Sequence, residues 1–266
     1  YFISPSAWAW RQKRAKIVAA WVSAIAAIFP FEADVYEKAG AHVKYVGHPL
    51  IDLVKIQRNR SQFCSDLGLD GQYPLLGLLP GSRVGEITKL LPLMLQSAII
   101  LKEKIPALQF VLPVAPGMDV DFIRNIIKQY PLNINLVENA AYDLMNACDF
   151  LIIASGTAAL EAAILGTPML ITYKVSPLSA WLARRLLRIP YIGLPNIVAG
   201  EQVVPELLQE QADPHIIARV ARDFLVFEEK RDEQRRKLNV IRSKLGAPGA
   251  IKRAAELILD IAATEK

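Results

Sequence analysis

The chain has few of the residues from which disulfide frameworks and metal sites are built. Its 266 residues include only two cysteines, Cys64 and Cys148, and three histidines. Two cysteines are too few for a disulfide-stapled fold, and His42, His48 and His215 do not have zinc-ligand spacing. We therefore expect both cysteines to be buried structural thiols in the reducing environment of a cytoplasm, and we expect no bound metal.

Charged residues are also scarce, at 21%, against 53% apolar residues. This composition excludes an intrinsically disordered chain, and the length suffices for one large domain or two ordinary ones. The net charge of +5 favours an acidic partner such as a nucleotide, a phosphorylated lipid or an anionic membrane. A balance this mild is equally common in proteins that bind none of these.

Near the N-terminus, the apolar run 17–31 lacks the length of a membrane span, which needs about 20 residues. It follows a basic cluster within residues 11–16, a combination that resembles a secretory signal. We interpret the region instead as a helix over 11–21 and a buried strand over 22–29 that ends at Pro30. The first residue is not methionine, which indicates a fragment or a trimmed product.

Beyond residue 33 the chain alternates regularly between strand and helix patterns. Continuous apolar runs, typical of strands buried on both faces of a parallel sheet, are separated by helical segments, and this predicts a doubly wound α/β domain. The predicted strands are 75–79, 109–114, 134–137, 150–154 and 169–173, the last being the end of the series. The predicted helices are 86–105, 119–130, 141–147 and 157–165. A polar stretch, 51–70, holds the candidate domain boundary, and the tail beyond 213 is helical, with a last helix over 250–263.

The turn in "LLPGSR" follows the first of these strands and has residues suited to binding an anion. Gly81 would let the backbone approach a ligand closely, Ser82 would cap the next helix, and Arg83 would offer a bidentate fork to phosphate. The Gly-Lys-Ser/Thr ending of a Walker A loop is missing. A simple strand-to-helix turn is the alternative interpretation.

Two later turns have similar features. In "IIASGTAALE", Ser155, Gly156 and Thr157 open a helix whose N-terminus could hold a diphosphate, and Glu161 follows one turn later, where it could accept hydrogen bonds from ribose hydroxyls. The alternative is a capped helix with a solvated glutamate. In "YIGLPNIVAG", the amide of Asn196 could orient a sugar or phosphate oxygen, or it could serve only in the turn.

Longer motifs extend through the chain: "SPSAWAWRQKR", "PFEADVYEKAG", "YVGHPLID", "LLPGSRVGEI", "SGTAALEAAILGTPM" and "VSPLSAWLARRLLRIPYIGLPNIVAGEQVVPELLQ". In collinear order and over nearly the whole chain, they resemble the lipid-A-disaccharide synthase family. The resemblance implies a GT-B-type α/β glycosyltransferase with a doubly wound, Rossmann-like C-terminal domain and a partial Rossmann-like N-terminal domain. It also implies a reaction that joins UDP-2,3-diacylglucosamine to 2,3-diacylglucosamine 1-phosphate and releases UDP, with no cofactor and no metal.

The same resemblance divides the chain and assigns its site. Residues 1–50 would be the remnant of the acceptor-side domain, 51–240 the UDP-sugar-binding domain, and 241–266 a helix returning toward the first domain. Arg83 and Asn196 would be catalytic, and the nucleotide sugar would be bound by Gly81, Ser82, Arg83, Ser155, Gly156, Thr157, Glu161 and Asn196. Family members begin with a further N-terminal stretch that holds the general base, so this chain would be an inactive fragment. His48 is the one candidate base within it, and a packing or hinge role is the alternative.

Lipid substrates imply a cytoplasmic enzyme that is peripheral on the inner face of the inner membrane of a Gram-negative bacterium. They imply no nucleic-acid partner and leave room for a homo-oligomer. Two segments are candidates for the membrane-facing surface: the amphipathic stretch 177–190, and Trp8 and Trp10 with the basic cluster at 11–16. An ordinary amphipathic helix with a solvated basic face is the alternative for the first segment.

Two other classes of protein share part of this pattern. One is a different GT-B enzyme that uses UDP-sugars, such as a UDP-N-acetylglucosamine 2-epimerase. The other is a non-catalytic UDP-binding remnant.

Overall fold

The computed structural model describes residues 1–4, 12–176 and 190–264, and these fall into two compact units. One unit contains the described residues of 1–54 and 240–264, and the other contains Lys55–Ser176 and Tyr191–Asn239. Of the two predicted membrane-facing segments, residues 177–189 as well as Trp8, Trp10 and Arg11 lie outside the described residues.

Helices and strands alternate along the chain, as the apolar pattern predicts. In chain order, the elements of the first half are α1 (Gln12–Trp21), β1 (Ile25–Ala27), α2 (Pro30–Glu37), β2 (Val43–Tyr45), α3 (Leu50–Leu53), α4 (Arg60–Asp66), β3 (Leu75–Leu79), α5 (Val84–Lys104), β4 (Gln109–Val114), α6 (Val120–Ile127) and β5 (Ile134–Glu138). They continue as α7 (Ala141–Ala147), β6 (Phe150–Ala154), α8 (Thr157–Leu165), β7 (Met169–Tyr173), α9 (Leu194–Ala199), β8 (Glu206–Leu208), a short 3₁₀ turn (Gln209–Gln211), α10 (Pro214–Val226), α11 (Glu228–Lys244) and α12 (Ala250–Thr264).

The smaller unit is organised around the parallel pair β1 and β2, in which Ile25 lies opposite Val43. Its core includes the fully buried ring of Tyr36 on α2. The turn after β2 is tied to the C-terminal part of the chain, since the guanidinium of Arg253 donates to the carbonyl of Val46 at 2.9 Å and His48 N–H donates to the carbonyl of Leu245 at 2.8 Å. Backbone and side-chain hydrogen bonds therefore join residues distant in sequence within this unit.

The larger unit contains a six-stranded, all-parallel sheet in the order β5-β4-β3-β6-β7-β8. Numbered within the unit, this is the order 3-2-1-4-5-6 of a Rossmann-like doubly wound sheet. The chain reverses its direction of travel across the sheet between β3 and β6, which pair directly, with Leu76 opposite Phe150. Crevices for ligands form outside the carboxyl ends of strands at such a switch point. The predicted α/β fold with a doubly wound parallel sheet is confirmed.

Helices cover both faces of this sheet. Alternate residues of the strands join α5 and α10 in one large core, whose strand members are Leu76, Leu78, Phe110, Leu112, Val114, Phe150, Ile152, Ala154, Leu170 and Leu207. The intervening residues, such as Leu75 and Leu151, are equally buried, and α7 and α8 pack against the strands there. Burial on both faces explains why these strands read as continuous apolar runs.

Helix α5 is long and apolar enough to cross a membrane by length and composition. Here it is a core helix, because the side chains of Leu90, Leu91 and Met94 are fully buried against the sheet.

Three short elements differ from the sequence-based expectation. The series does not end with β7, because β8 pairs in parallel with it and places Ile171 opposite Glu206. The polar stretch 51–70 contains helix α4, which begins at a capping box formed by Asn59 and Gln62. The strand expected over 22–29 has only three residues. Each element is too short for a hydrophobic periodicity to be recognised in its sequence.

Candidate functional site

The site lies at the switch point of the larger sheet. Strands β3 and β6 are neighbours, and Leu79 near the end of one lies opposite Ile153 near the end of the other. The turns that follow both strands therefore leave from the same edge of the sheet, one leading into α5 and the other into α8. Both helices present N-terminal N–H groups at this edge, which favour an anion.

The first turn depends on Gly81, whose φ of +109° lies in a region that L side chains rarely adopt. A Cβ atom on this glycine would clash with the carboxylate of Glu86. The N-cap of α5 is Arg83, and no side chain caps this helix. The expectation that Ser82 caps it is therefore wrong, since Ser82 stands one residue too early.

Arg83 has a partner that sequence reasoning did not assign to the site. Its Nη1 lies 3.0 Å from Oε1 of Glu86, an i,i+3 pair between the N-cap and the first turn of α5. The Arg83 side chain is 80% exposed, whereas that of Glu86 is 17% exposed. The guanidinium therefore lies in solvent, and the carboxylate with which it pairs is largely buried. The three-residue spacing was the available signal, because residues so spaced are neighbours on a helix.

The second turn contains Ser155 and Gly156, and Gly156 is the N-cap of the nine-residue helix α8. The Ser155 hydroxyl contacts the carbonyl of Ile192 at 3.5 Å. Glu161 lies one turn into α8 and its Oε1 accepts a hydrogen bond from the Tyr142 hydroxyl at 3.3 Å. Burial raises the pKa of Glu161, and the hydrogen bond from Tyr142 partly offsets that rise.

The two turns enclose a cleft of about 380 Å³, a volume typical of small-molecule sites. It brings together seven of the predicted residues: Gly81, Ser82, Arg83, Ser155, Gly156, Thr157 and Glu161. Sequence reasoning missed Glu86, as well as the end of β4 and the turn after it, where Pro113, Val114, Ala115 and Pro116 line the cleft. These residues are mostly apolar and have no motif that would mark them as a site.

Asn196 is placed elsewhere. Its side chain is fully buried and does not line the cleft. The Nδ2 group donates to the carbonyl of Val204 at 2.8 Å and to Oε1 of Glu206 at 2.7 Å, while Oδ1 accepts from the N–H groups of Val203 and Val204. Both donors of the amide are used internally, so the expected direct contact with phosphate or sugar does not fit this geometry.

His48, the candidate base, belongs to the smaller unit and is 6% exposed. Burial lowers its pKa from 6.5 to about 4. Its Nδ1 accepts a hydrogen bond from Leu50 N–H at 3.2 Å, and its ring packs against Phe29 with centroids 4.9 Å apart. These contacts are those of a packing residue, the alternative noted for His48.

The remaining residues singled out from the sequence are the cysteines. Both Cys64 and Cys148 are buried free thiols, as predicted. Burial raises the pKa of each thiol, so neither is poised to react as a thiolate. In the ranges that the structure describes, no cluster of three or more His, Cys, Asp or Glu residues could hold a metal ion.

Solved structures with a similar fold bind UDP-sugars or build cell-wall polymers. The UDP-GlcNAc 2-epimerase from Neisseria meningitidis, solved with UDP-GlcNAc, superposes with a TM-score of 0.64 at 17% identity, over 92% of this chain and 63% of that one. The wall teichoic acid polymerase TagF superposes with a TM-score of 0.55 at 11% identity, over 99% of this chain and 62% of that one. At such low identities the likeness supports a GT-B-type fold and nothing finer.

Sequence relatives are more specific. The profile of the lipid-A-disaccharide synthetase family matches residues 1–261. Lipid-A-disaccharide synthases from Trichlorobacter lovleyi and Geobacter sulfurreducens are 44% and 42% identical over 261 residues, which is 98% of this chain and 68% of each relative. The chain thus spans about two thirds of the length of these relatives. It belongs to the lipid-A-disaccharide synthase family.

Proposed function

We propose that the cleft at the switch point binds the UDP part of a nucleotide-sugar donor. In this proposal the protein transfers the hexosyl group of UDP-2,3-diacylglucosamine to 2,3-diacylglucosamine 1-phosphate and releases UDP. The observation that carries the proposal is the convergence of two helix N-termini and one guanidinium on a single cleft, with a carboxylate one helical turn away. The membership of the chain in the family supplies the reaction.

The diphosphate is assigned to the two turns. A departing UDP carries negative charge, and its stabilisation accelerates transfer only if the donors are already in place. The backbone around Gly81, the fork of Arg83 and the N–H groups at Ser155–Thr157 supply such donors from two sides. Arg83 can bind a phosphate in bidentate fashion once it turns from Glu86 toward the ligand, because its side chain is largely exposed.

The ribose is assigned to Glu161. Its half-buried carboxylate lines the cleft beside the N-terminus of α8. An ionised carboxylate only accepts hydrogen bonds, and a ribose diol offers two hydroxyl donors. Asn196 is reassigned from ligand contact to support: with Glu206 it holds residues 192–196 near Ser155.

We propose the following assignment of domains along the chain. Residues 51–240 form the donor domain, 1–50 belong to the acceptor side, and 241–266 return toward it. We also propose that the protein works as a peripheral protein on the inner face of the inner membrane, because both proposed substrates are lipids and the chain has a net charge of +5.

The nucleotide site is tested by calorimetric titration of UDP and of inorganic diphosphate into this chain. Glu161→Ala should weaken UDP by about 1–3 kcal/mol, the cost of losing hydrogen bonds to a charged group, and should leave diphosphate nearly unchanged. Glu103→Ala is the matched control, since Glu103 is an exposed glutamate that does not line the cleft. Equal weakening of both ligands by Glu161→Ala would contradict the ribose assignment.

Transfer itself is measured on the complete product of the gene that encodes this chain. UDP release should require both the diacylated donor and the lipid acceptor, and it should produce a disaccharide phosphate. Interconversion of free UDP-N-acetylglucosamine with an isomer would instead identify an epimerase. UDP binding without either reaction would identify a binding module.

A further inference from the structure

Tyr142 contacts the proposed ribose-binding carboxylate from a different element. It lies in the first turn of α7, whereas Glu161 lies on α8. The phenol hydroxyl donates to Oε1 of Glu161 at 3.3 Å. Tyr142 itself does not line the cleft, although its neighbour Ala141 does. The Tyr142 hydroxyl is therefore connected to the cleft through Glu161, which it contacts and which lines the cleft.

We infer that Tyr142 is a positioning residue that sets the preference of the cleft for a nucleoside diphosphate over bare diphosphate. The inference rests on the proposed function, because it takes Glu161 as the group that receives the ribose. It adds a residue on α7 to a site otherwise built from the turns before α5 and α8.

The physical argument concerns the freedom of a glutamate side chain. Glu161 has three rotatable bonds, and ordering such a side chain on binding costs conformational entropy. A phenol that holds Oε1 before the ligand arrives removes part of that cost and leaves Oε2 to accept hydrogen bonds from the ribose. Diphosphate has no ribose, so it gains nothing from this arrangement.

The electrostatic surroundings of Glu161 support the same role. Tyr142 is the titratable group in contact with it, and Arg83 and Glu86 line the same cleft. Burial raises the pKa of Glu161 and the Tyr142 hydrogen bond lowers it. Removing the hydroxyl therefore raises the pKa of Glu161 further, so the carboxylate that UDP needs is lost at a higher pH than in the unaltered protein.

The test is Tyr142→Phe, which removes the hydroxyl and keeps the ring. Calorimetric titrations of this chain should give a dissociation constant for UDP that rises about five- to tenfold, with that for inorganic diphosphate unchanged within about twofold. The pH at which UDP binding is half lost should move upward relative to the unaltered chain. Tyr130→Phe is the matched control, because Tyr130 is a partly buried tyrosine packed on the core and does not line the cleft.

A double variant separates this inference from the proposed function. In a Glu161→Ala background, which removes the acceptor of the Tyr142 hydrogen bond, Tyr142→Phe should cause no further loss of UDP affinity. If the unaltered chain prefers UDP to diphosphate and Glu161→Ala abolishes that preference, but Tyr142→Phe leaves both affinities and the pH profile unchanged, Tyr142 has no positioning role. If Glu161→Ala itself leaves UDP binding unchanged, the proposed ribose site fails. If Tyr142→Phe weakens both ligands equally, its effect is structural and the inference is overturned.

Discussion

At the scale of single residues, each charged group that lines the cleft already has a partner within the protein. Arg83 is paired with Glu86, and Glu161 accepts a hydrogen bond from Tyr142. A ligand that displaces Glu86 must therefore bind Arg83 more strongly than the single carboxylate oxygen that now pairs with it. A diphosphate meets that condition, because it presents several charged oxygens to a guanidinium fork and to nearby backbone N–H groups at once.

Gly81, in the turn between β3 and α5, is a position at which the structure leaves no room for a side chain. Gly81→Ala would place a Cβ atom against the Glu86 carboxylate in a backbone conformation, φ +109°, that L residues rarely adopt. We expect the free energy of unfolding to fall by about 1–3 kcal/mol and UDP affinity to fall about tenfold. Denaturant unfolding and calorimetry measure the two effects.

Gly85→Ala, in the first turn of α5, is the control for this variant. Gly85 lies within α5 and a Cβ atom there would meet nothing within 4 Å. The substitution should stabilise the protein by about 0.5–1 kcal/mol and leave UDP affinity unchanged. If Gly81→Ala behaves in the same way, the turn is not conformationally demanding.

At the scale of elements, the short helix α9 is held by side chains more than by its own length. Six residues are too few to be stable as an isolated helix. Asn196 ties α9 to the segment before β8, and Glu206 on β8 accepts hydrogen bonds from the N–H groups of Ile192 and Gly193 at 2.9 Å. The position of α9 and of the loop before it therefore depends on one buried polar network.

Asn196→Ala should disrupt this hydrogen-bond network. It leaves the buried N–H and carbonyl groups of Val204 without the amide that satisfies them, and each such orphan costs about 1–3 kcal/mol. We expect the free energy of unfolding to fall by about 3 kcal/mol in denaturant titrations. Asn125→Ala, at an exposed position on α6, should change it by less than about 0.5 kcal/mol. Unchanged stability with lost transfer activity would restore Asn196 as a ligand-contacting residue.

At the scale of the whole molecule, stability should depend on pH through His48 in the smaller unit. Burial sets the pKa of His48 at about 4 in the folded protein, below its ordinary value of 6.5. Between these values the unfolded chain binds more protons than the folded protein, so the free energy of unfolding falls as the pH drops through this window. Protonation would also put a hydrogen on Nδ1 of His48. This atom would then face the N–H group of Leu50 as a second donor and could not accept its hydrogen bond.

The expected loss is about 2 kcal/mol between about pH 7 and about pH 4.5, measured by denaturant unfolding at both pH values. His48→Gln should remove most of this dependence, even if it lowers stability at neutral pH. His42→Gln, at an exposed position, is the control and should leave the dependence intact. An unaltered pH dependence in His48→Gln would mean that other groups cause it.

The sequence alone predicted the elements whose signals are local. Continuous apolar runs placed β3, β4, β6 and β7 at the bounds that the structure has, and small residues before an apolar helix placed the start of α8. Strand β8 was missed, because three residues carry too little periodicity. The turn after β4 was missed because apolar lining residues look like any strand end.

What the sequence by itself determined is the succession of strands and helices, the family, and the residue types at two turns suited to anions. Only the tertiary structure decided that β3 and β6 are neighbours, so that these two turns enclose one cleft while Asn196 is fully used in holding α9. The physical reason is that strand order and buried hydrogen-bond partners depend on contacts between residues distant along the chain. A local pattern of side chains shows what a residue can donate or accept, and only the packed chain determines which partner it meets.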